Sequence, residues 1–192
     1  MEKNVVIIDY GAGNVQSVRY ALERLGVAVV LSDNKEEILS ASHVIFPGVG
    51  HAKYAMNALR QKDLVELIPT LKQPVLGICL GMQLLCSHTQ EGDTKGLGIF
   101  DVPVLKFDAA LRVPHMGWNH LIDGRKLLAN VEQQVYFVHS YFVPECAESI
   151  ALCDYHGKFS AALRKDNFYG CQFHPEKSGS IGAEILERFL QL

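Results

Sequence analysis

The run Pro74-Val-Leu-Gly-Ile-Cys79-Leu-Gly-Met-Gln83 decides how this chain is read. A short apolar segment ends in Gly77-Ile-Cys79-Leu-Gly81, and an apolar, helix-compatible segment begins at once. A strand that turns sharply into a helix around a nucleophile is the nucleophile-elbow pattern, here with cysteine where the hydrolase form carries serine. The flanking glycines are expected to let the backbone turn and the side chain project at the strand end. A thiol at the start of a helix lies in a field that favours its reactive thiolate. A buried cysteine packed between a strand and a helix would leave the same local pattern, so the run by itself leaves both readings open.

Upstream of the elbow, short β-branched strands alternate with helical segments. Val5 to Tyr10 is broken by Gly11-Ala-Gly13-Asn14, and Val18, Ala21, Leu22 and Leu25 then recur at helical spacing up to a stop at Gly26. Val27 to Leu31 predicts a second strand, Glu36 to Ala41 a short helix, and Val44-Ile-Phe46 a third strand that runs into Pro47-Gly48-Val49-Gly50. His51 to Arg60 and Leu64 to Leu71 read as helix. This order predicts a parallel sheet with helices on both faces, and such sheets bind ligands at the carboxyl ends of their strands. Gly11–Asn14, Gly48–Gly50 and Cys79 are therefore expected on one rim. The glycine loop followed by a strand and Asp33 also outlines a dinucleotide-binding unit, although Gln16 stands where its fingerprint needs a third glycine.

Downstream the texture changes. Glu91 to Gly98 is a loop, and Phe100–Phe107, Val135–Val143, Ile150–Asp154, Ser160–Lys165 and Tyr169–His174 read as strands forming an antiparallel extension of the sheet. Pro114-His-Met-Gly117-Trp118-Asn119 reads as a loop with a turn, and Ile181, Ile185, Leu186 and Phe189 mark a closing amphipathic helix. No repeat or linker interrupts residues 1–192, so a single domain is expected. The 192 residues carry a net charge of −3, which gives no footprint for nucleic acid, and no apolar run reaches the ~20 residues of a membrane helix. The start Met1-Glu-Lys-Asn has no signal-peptide character. Five cysteines without CxxC spacing argue against a disulfide framework or a zinc site, which fits a cytoplasmic protein.

Eight histidines compete to be the base for Cys79. Most are expected on the surface or in packing, with His139, at a strand end in Val138-His-Ser140-Tyr141, the second candidate. Phe173-His174-Pro175-Glu176 stands out. Proline biases its neighbour toward extended backbone, where residues two apart share a face. Glu176 is then expected to bond one ring nitrogen of His174 while the other faces the thiol, a nucleophile–base–orienter arrangement. A solvated acid at a strand end is the bland alternative. Oxyanion donors are expected from the Leu80 N–H and from Gly48, Val49 and Gly50, where the glycines leave room for an N–H to turn inward.

With these residues in place, the sequence resembles the triad-type class I glutamine amidotransferases. The resemblance covers essentially the whole chain and departs nowhere at Cys79, His174 and Glu176. Ile8-Asp-Tyr-Gly-Ala-Gly-Asn14, Pro47-Gly-Val-Gly50, Pro114–Asn119, Tyr136-Phe-Val-His-Ser-Tyr141 and His174-Pro-Glu-Lys-Ser178 further resemble the glutaminase subunits of imidazole glycerol phosphate synthases. The resemblance implies a three-layer α/β/α, flavodoxin-like fold with a mixed, mostly parallel sheet. It implies that Cys79 opens the glutamine side-chain amide through a thioester, with no cofactor and no metal. Gly50, Gln83, Ser140 and Tyr141 would contact the glutamine. Ammonia would pass to a (β/α)₈-barrel cyclase subunit of histidine biosynthesis, docked on Asn14, Met116, Trp118, Tyr136 and Lys177. With the resemblance covering the whole chain, no segment is expected to serve as a synthase domain, so a separate partner is expected. A free-standing thiol hydrolase of γ-glutamyl bonds and a dinucleotide-binding module are the competing expectations.

Overall fold

Every residue of the first strand is buried, and its alternation splits two cores. In β1 (Val5–Ile8), Val5 and Ile7 pack into one hydrophobic cluster while Val6 and Ile8 pack into another. The computed structural model describes residues 3–11 and 13–192. Met1 and Glu2 of the expected amino-terminal start, and Ala12 of the expected Gly11–Asn14 loop, lie outside the described residues.

The chain continues through α1 (Val15–Arg24), β2 (Val29–Ser32), α2 (Lys35–Ser40), β3 (His43–Gly48), α3 (Ala52–Gln61), β4 (Val75–Cys79) and α4 (Leu80–Leu85). Each helix has an identifiable start or stop. Gly26 adopts φ +76° just beyond α1, the left-handed stop that glycine takes without a Cβ clash. Asn34 caps α2 by accepting from the N–H groups of Glu36 and Glu37. The helix expected over Leu64 to Leu71 is reduced to a 3₁₀ turn at Ile68–Thr70. Pro69 sits inside it and removes a backbone donor, so no longer helix propagates.

Beyond α4 lie β5 (Cys86–Thr89), β6 (Thr94–Lys95), β7 (Phe100–Lys106), β8 (His115–Asn119), β9 (Val135–His139), β10 (Tyr141–Phe142), β11 (Ser149–Asp154), β12 (Lys158–Lys165), β13 (Phe168–Cys171) and α5 (Gly179–Leu190). The central sheet runs β11-β12-β13-β4-β3-β1-β2. It is parallel from β13 to β2 and antiparallel at β11 and β12. Helices α1 and α5 cover one face with Leu22, Ile185 and Phe189, and α2, α3 and α4 cover the other with Ile38, Met56 and Leu84. This is the expected three-layer α/β/α arrangement.

Three expectations fail in the second half. Only β11 and β12 form the antiparallel extension; β7 and β10 join β5 and β6 in a separate small sheet, and β9 pairs elsewhere. The continuous strand expected over Val135–Val143 is broken at Ser140, where the chain leaves one sheet and enters another. The expected loop at Pro114–Asn119 is strand β8, antiparallel to β9 with His115 opposite His139 and Trp118 opposite Tyr136. Local residues such as Pro114 and Gly117 signal a turn, but a partner strand about twenty positions away imposes pairing, and pairing wins.

Candidate functional site

The carboxyl ends of β1, β3, β4 and β13 lie side by side on one rim, because these strands are adjacent and parallel. Cys79 ends β4, Gly48 stands opposite it in register, and Cys171 pairs with Ile78 just before the chain runs on to His174. Gly13 packs beside Pro47. Among the described residues, the shared rim expected for Gly11–Asn14, Gly48–Gly50 and Cys79 is present.

At Cys79 the backbone takes φ +53° and ψ −110°, a conformation that L-residues rarely hold unless the surroundings impose it. The glycines beside it act differently from expectation. Neither turns with positive φ; they make room. A Cβ on Gly77 would lie 2.8 Å from the Met82 nitrogen, and one on Gly81 would strike the Phe46 carbonyl oxygen. On the facing strand, a Cβ on Gly48 would lie 2.5 Å from the Gly81 nitrogen. The sharp turn belongs to the cysteine, and close approach of β3, β4 and α4 belongs to the glycines.

His174 and Glu176 meet, but not along an extended strand. His174 is extended at φ −102°, and Pro175–Lys177 then forms a 3₁₀ turn that folds the carboxylate back. Nδ1 of His174 lies 2.8 Å from Oε1 of Glu176, with both side chains almost wholly buried. Burial alone pulls the imidazole down. The Cys79 sulfur and the Glu176 carboxylate, through hydrogen bonding and charge, outweigh burial and push His174 up to about 9. By strict geometry Nε2 of His174 has no hydrogen-bond partner among the described residues. The contact with the thiol is therefore loose, and the raised basicity belongs to the coupled set of three groups rather than to one tight bond.

These side chains open into a cavity of about 320 Å³ lined by Val49, Gly50, Cys79, Leu80, Gln83, Ser140, Tyr141, His174 and Lys177, among others. That volume lies in the range of small-molecule sites. Every expected oxyanion and glutamine-contact residue reaches it except Gly48, which is packed one step behind against the start of α4. Gly50 holds φ +97°. The loop is anchored at its root, where the buried Tyr10 hydroxyl donates to the Pro47 carbonyl over 2.8 Å. Burial, with the neighbouring Cys79 charge, pushes the Tyr10 phenol well above its ordinary range.

Three lining residues, Glu91, Pro114 and Val138, escape sequence reasoning. Glu91 contributes a carboxylate to the cavity wall while Oε2 accepts from the Ala52 N–H at 2.8 Å. Its only sequence signal is a place in a loop after the elbow. Val138 lines the wall and accepts from the Cys79 thiol at 3.8 Å. The second candidate base, His139, also lines the cavity, but both its nitrogens are engaged: Nδ1 with the Tyr141 carbonyl at 2.7 Å and Nε2 with His115 at 2.9 Å. Burial pushes it down to about 3. Asp33, the acid of the dinucleotide-binding outline, is paired with Lys62.

The expected docking residues lie on or beside elements that contact one another in turn. Met116 and Trp118 project from β8 with 63% and 52% exposure, and Trp118 meets Tyr136 edge to face at 5.8 Å. Tyr136 is tied to the histidine segment, since its carbonyl accepts from the His174 N–H at 2.8 Å. Lys177 is exposed at the cavity rim, and the turn that carries it packs on α1 behind Asn14.

Known proteins resemble this chain over nearly its whole length. The family described as glutamine amidotransferase class-I matches residues 6–192. The imidazole glycerol phosphate synthase subunit HisH of Bacteroides thetaiotaomicron is 53% identical, with 98% of this chain and 99% of that protein covered. The subunit of the same name from Pectobacterium atrosepticum is 50% identical over the same shares of each. Among solved structures, a crystal structure of a glutamine amidotransferase superposes with a TM-score of 0.77 at 18% identity, covering 97% of each chain. The chain belongs to the class I glutamine amidotransferases and, within them, to the HisH subunits of imidazole glycerol phosphate synthase.

Proposed function

We propose that this chain is the glutaminase half of an imidazole glycerol phosphate synthase, with Cys79, His174 and Glu176 as its catalytic triad. The observation that carries the triad is one cavity holding a cysteine at φ +53° and a histidine whose far nitrogen is fixed by a buried carboxylate. Cys79 attacks the side-chain carbonyl carbon of glutamine, and the C=O electrons move onto oxygen. N–H groups of Leu80 and of the Gly48-Val49-Gly50 loop receive that oxyanion. His174 protonates the departing nitrogen, ammonia leaves, and a thioester to Cys79 remains. Water then attacks with His174 as base, releasing glutamate and the thiol, while Glu176 holds the ring throughout.

Gly50, Gln83, Ser140 and Tyr141 hold the glutamine, and the Glu91 carboxylate suits its α-ammonium group. Gln83 directs both N–H bonds into the protein, to the Tyr141 carbonyl and to Gln172. It therefore meets the substrate through its oxygen, as an acceptor. Ammonia passes to the partner cyclase, a (β/α)₈ barrel seated on Asn14, Met116, Trp118, Tyr136 and Lys177, in the cytoplasmic pathway to histidine. An exposed aromatic and methionine patch of this kind suits an interface core.

The test is Cys79→Ala in the assembled complex. Synthesis with glutamine is expected to fall to background while synthesis with added ammonium salt continues. Loss of both in a folded, docked variant would sink the reading. Glutamine turnover by the isolated chain that no barrel partner changes would instead favour a free-standing thiol hydrolase.

A further inference from the structure

Behind Cys79 lies a buried line of polar side chains that the triad does not use. Gln172 is fully buried, and its Nε2 donates to the Cys79 sulfur at 3.7 Å. Its Oε1 accepts from Gln83 Nε2 at 2.8 Å, and Gln83 Nε2 also donates to the Tyr141 carbonyl at 3.0 Å. The direction of each bond is forced. A backbone carbonyl only accepts, so Gln83 must turn its NH₂ toward Tyr141, and that same NH₂ meets Gln172. Gln172 must then offer its oxygen to Gln83 and its N–H to the sulfur. Were either amide reversed, a carbonyl oxygen would face the sulfur and repel the thiolate.

The same carbonyl is fixed from its other side. Nδ1–H of His139 donates to it at 2.7 Å, which leaves His139 Nε2 to accept from His115 Nδ1. Asn119 Nδ2 stands 3.4 Å from the remaining His115 nitrogen and donates to the Asp154 carbonyl. Burial keeps His115 and His139 neutral, as these tautomers need. Tyr141 O is thus a double acceptor held between strand β9 and helix α4.

We infer that Gln172 is the fixed N–H donor to the Cys79 thiolate, and that Gln83 is a positioning residue that sets the direction of the Gln172 amide. The inference rests on Cys79 being the nucleophile. Other groups facing the sulfur pull in both directions. The Val138 carbonyl accepts from the thiol and so favours its protonated form. Tyr10 on the β1 side and Cys171 on β13 would add like charge if ionised, and His174 with Glu176 completes the set. Gln172 is the neutral donor among them, and a hydrogen bond to an ion is among the stronger ones.

Alkylation of Cys79 by iodoacetamide tests this, followed by peptide mass across a pH series in the full chain docked to its cyclase partner. In Gln172→Met, which keeps volume and removes the donor, alkylation at pH 7 is expected to slow about tenfold and the pH profile to move up by about one unit. The kcat for glutamine should fall by a similar factor, with KM within about twofold. Gln172→Glu should displace the profile further, because a carboxylate then faces the thiolate. Gln172→Asn withdraws the donor while staying polar, and gives the same reading if the methionine variant does not fold. A folded Gln172→Met or Gln172→Asn protein whose profile superimposes on the parent overturns the inference. That failure leaves the triad untouched, since the triad is tested separately by Cys79→Ala in the assembled complex.

Discussion

The chain buries a His–Glu pair and a His–His pair within reach of one cavity, and their rings end in opposite electrical states. His174 sits beside Glu176 and near Cys79, and is pushed up to about 9. His115 and His139 bond each other at 2.9 Å and are pushed down to about 4 and about 3. By surface exposure the three rings are nearly alike, at 2% for His174, 4% for His115 and 5% for His139. Burial therefore does not separate them. Company does: a carboxylate and a thiol repay the desolvation of a cation, whereas a second imidazole and a ring of aromatic neighbours do not. One pair is built to move a proton and the other to stay neutral and direct hydrogen bonds.

The sharpest way to break this contrast is to delete one ring from each pair. His174→Ala should lower glutamine-dependent turnover by about 10³-fold, the scale of losing a general acid–base group. His139→Gln keeps a donor for the Tyr141 carbonyl and should cost less than about tenfold. Steady-state glutaminase assays of the docked complex decide it, and equal losses would erase the distinction. A second, smaller effect isolates the orienter. Glu176→Gln leaves the shape but removes the charge, so turnover should fall by about 10²-fold. Chemical-shift titration of His174 should then move toward lower pH, because a raising influence is gone while burial remains. A titration that stays in place would mean Glu176 does not govern the ring.

How far these roles were legible in the sequence depends on whether the cause was local. The elbow was readable because a cysteine between two glycines at a strand end is a contiguous pattern, and the rim followed from strand alternation. The reason given for the glycines was wrong. Cys79 itself carries the strained φ, and that depends on Gly48, Gly77 and Gly81 admitting neighbours that no local window contains. The pairing of His174 with Glu176 was foreseen, yet a 3₁₀ turn makes it rather than an extended segment, since Pro175 also suits the first position of a helical turn. Strand β8 was hidden because its pairing partner is remote. Gln172 was hidden because a buried amide has no sequence signature; only the Tyr141 carbonyl and Gln83 make its direction meaningful.

The smallest expected effect concerns stability rather than turnover, and it carries the contrast to opposite sides of pH 6.5. His174 has a folded value raised above the ordinary 6.5, so what it contributes is complete below 6.5 and is lost as pH rises through about 9. His115 and His139 have folded values below 6.5. Between pH 6.5 and about 4 the unfolded chain takes up protons that these rings in the folded chain refuse, so stability falls as pH falls. His139→Gln removes one titrating ring and keeps an amide able to donate and accept. The acid limb of stability against pH should therefore flatten, by at most about 1.4 kcal/mol per pH unit, while stability at pH 7 drops by about 1 kcal/mol for the imperfect replacement. Urea denaturation of the isolated chain from pH 10 to pH 4 reads both numbers. Its alkaline limb, where His174 acts, should match the parent. An acid limb as steep in the variant as in the parent would mean that His139 is not held neutral, and the directed hydrogen bonds leading through Tyr141 to Gln83 would lose their fixed sense.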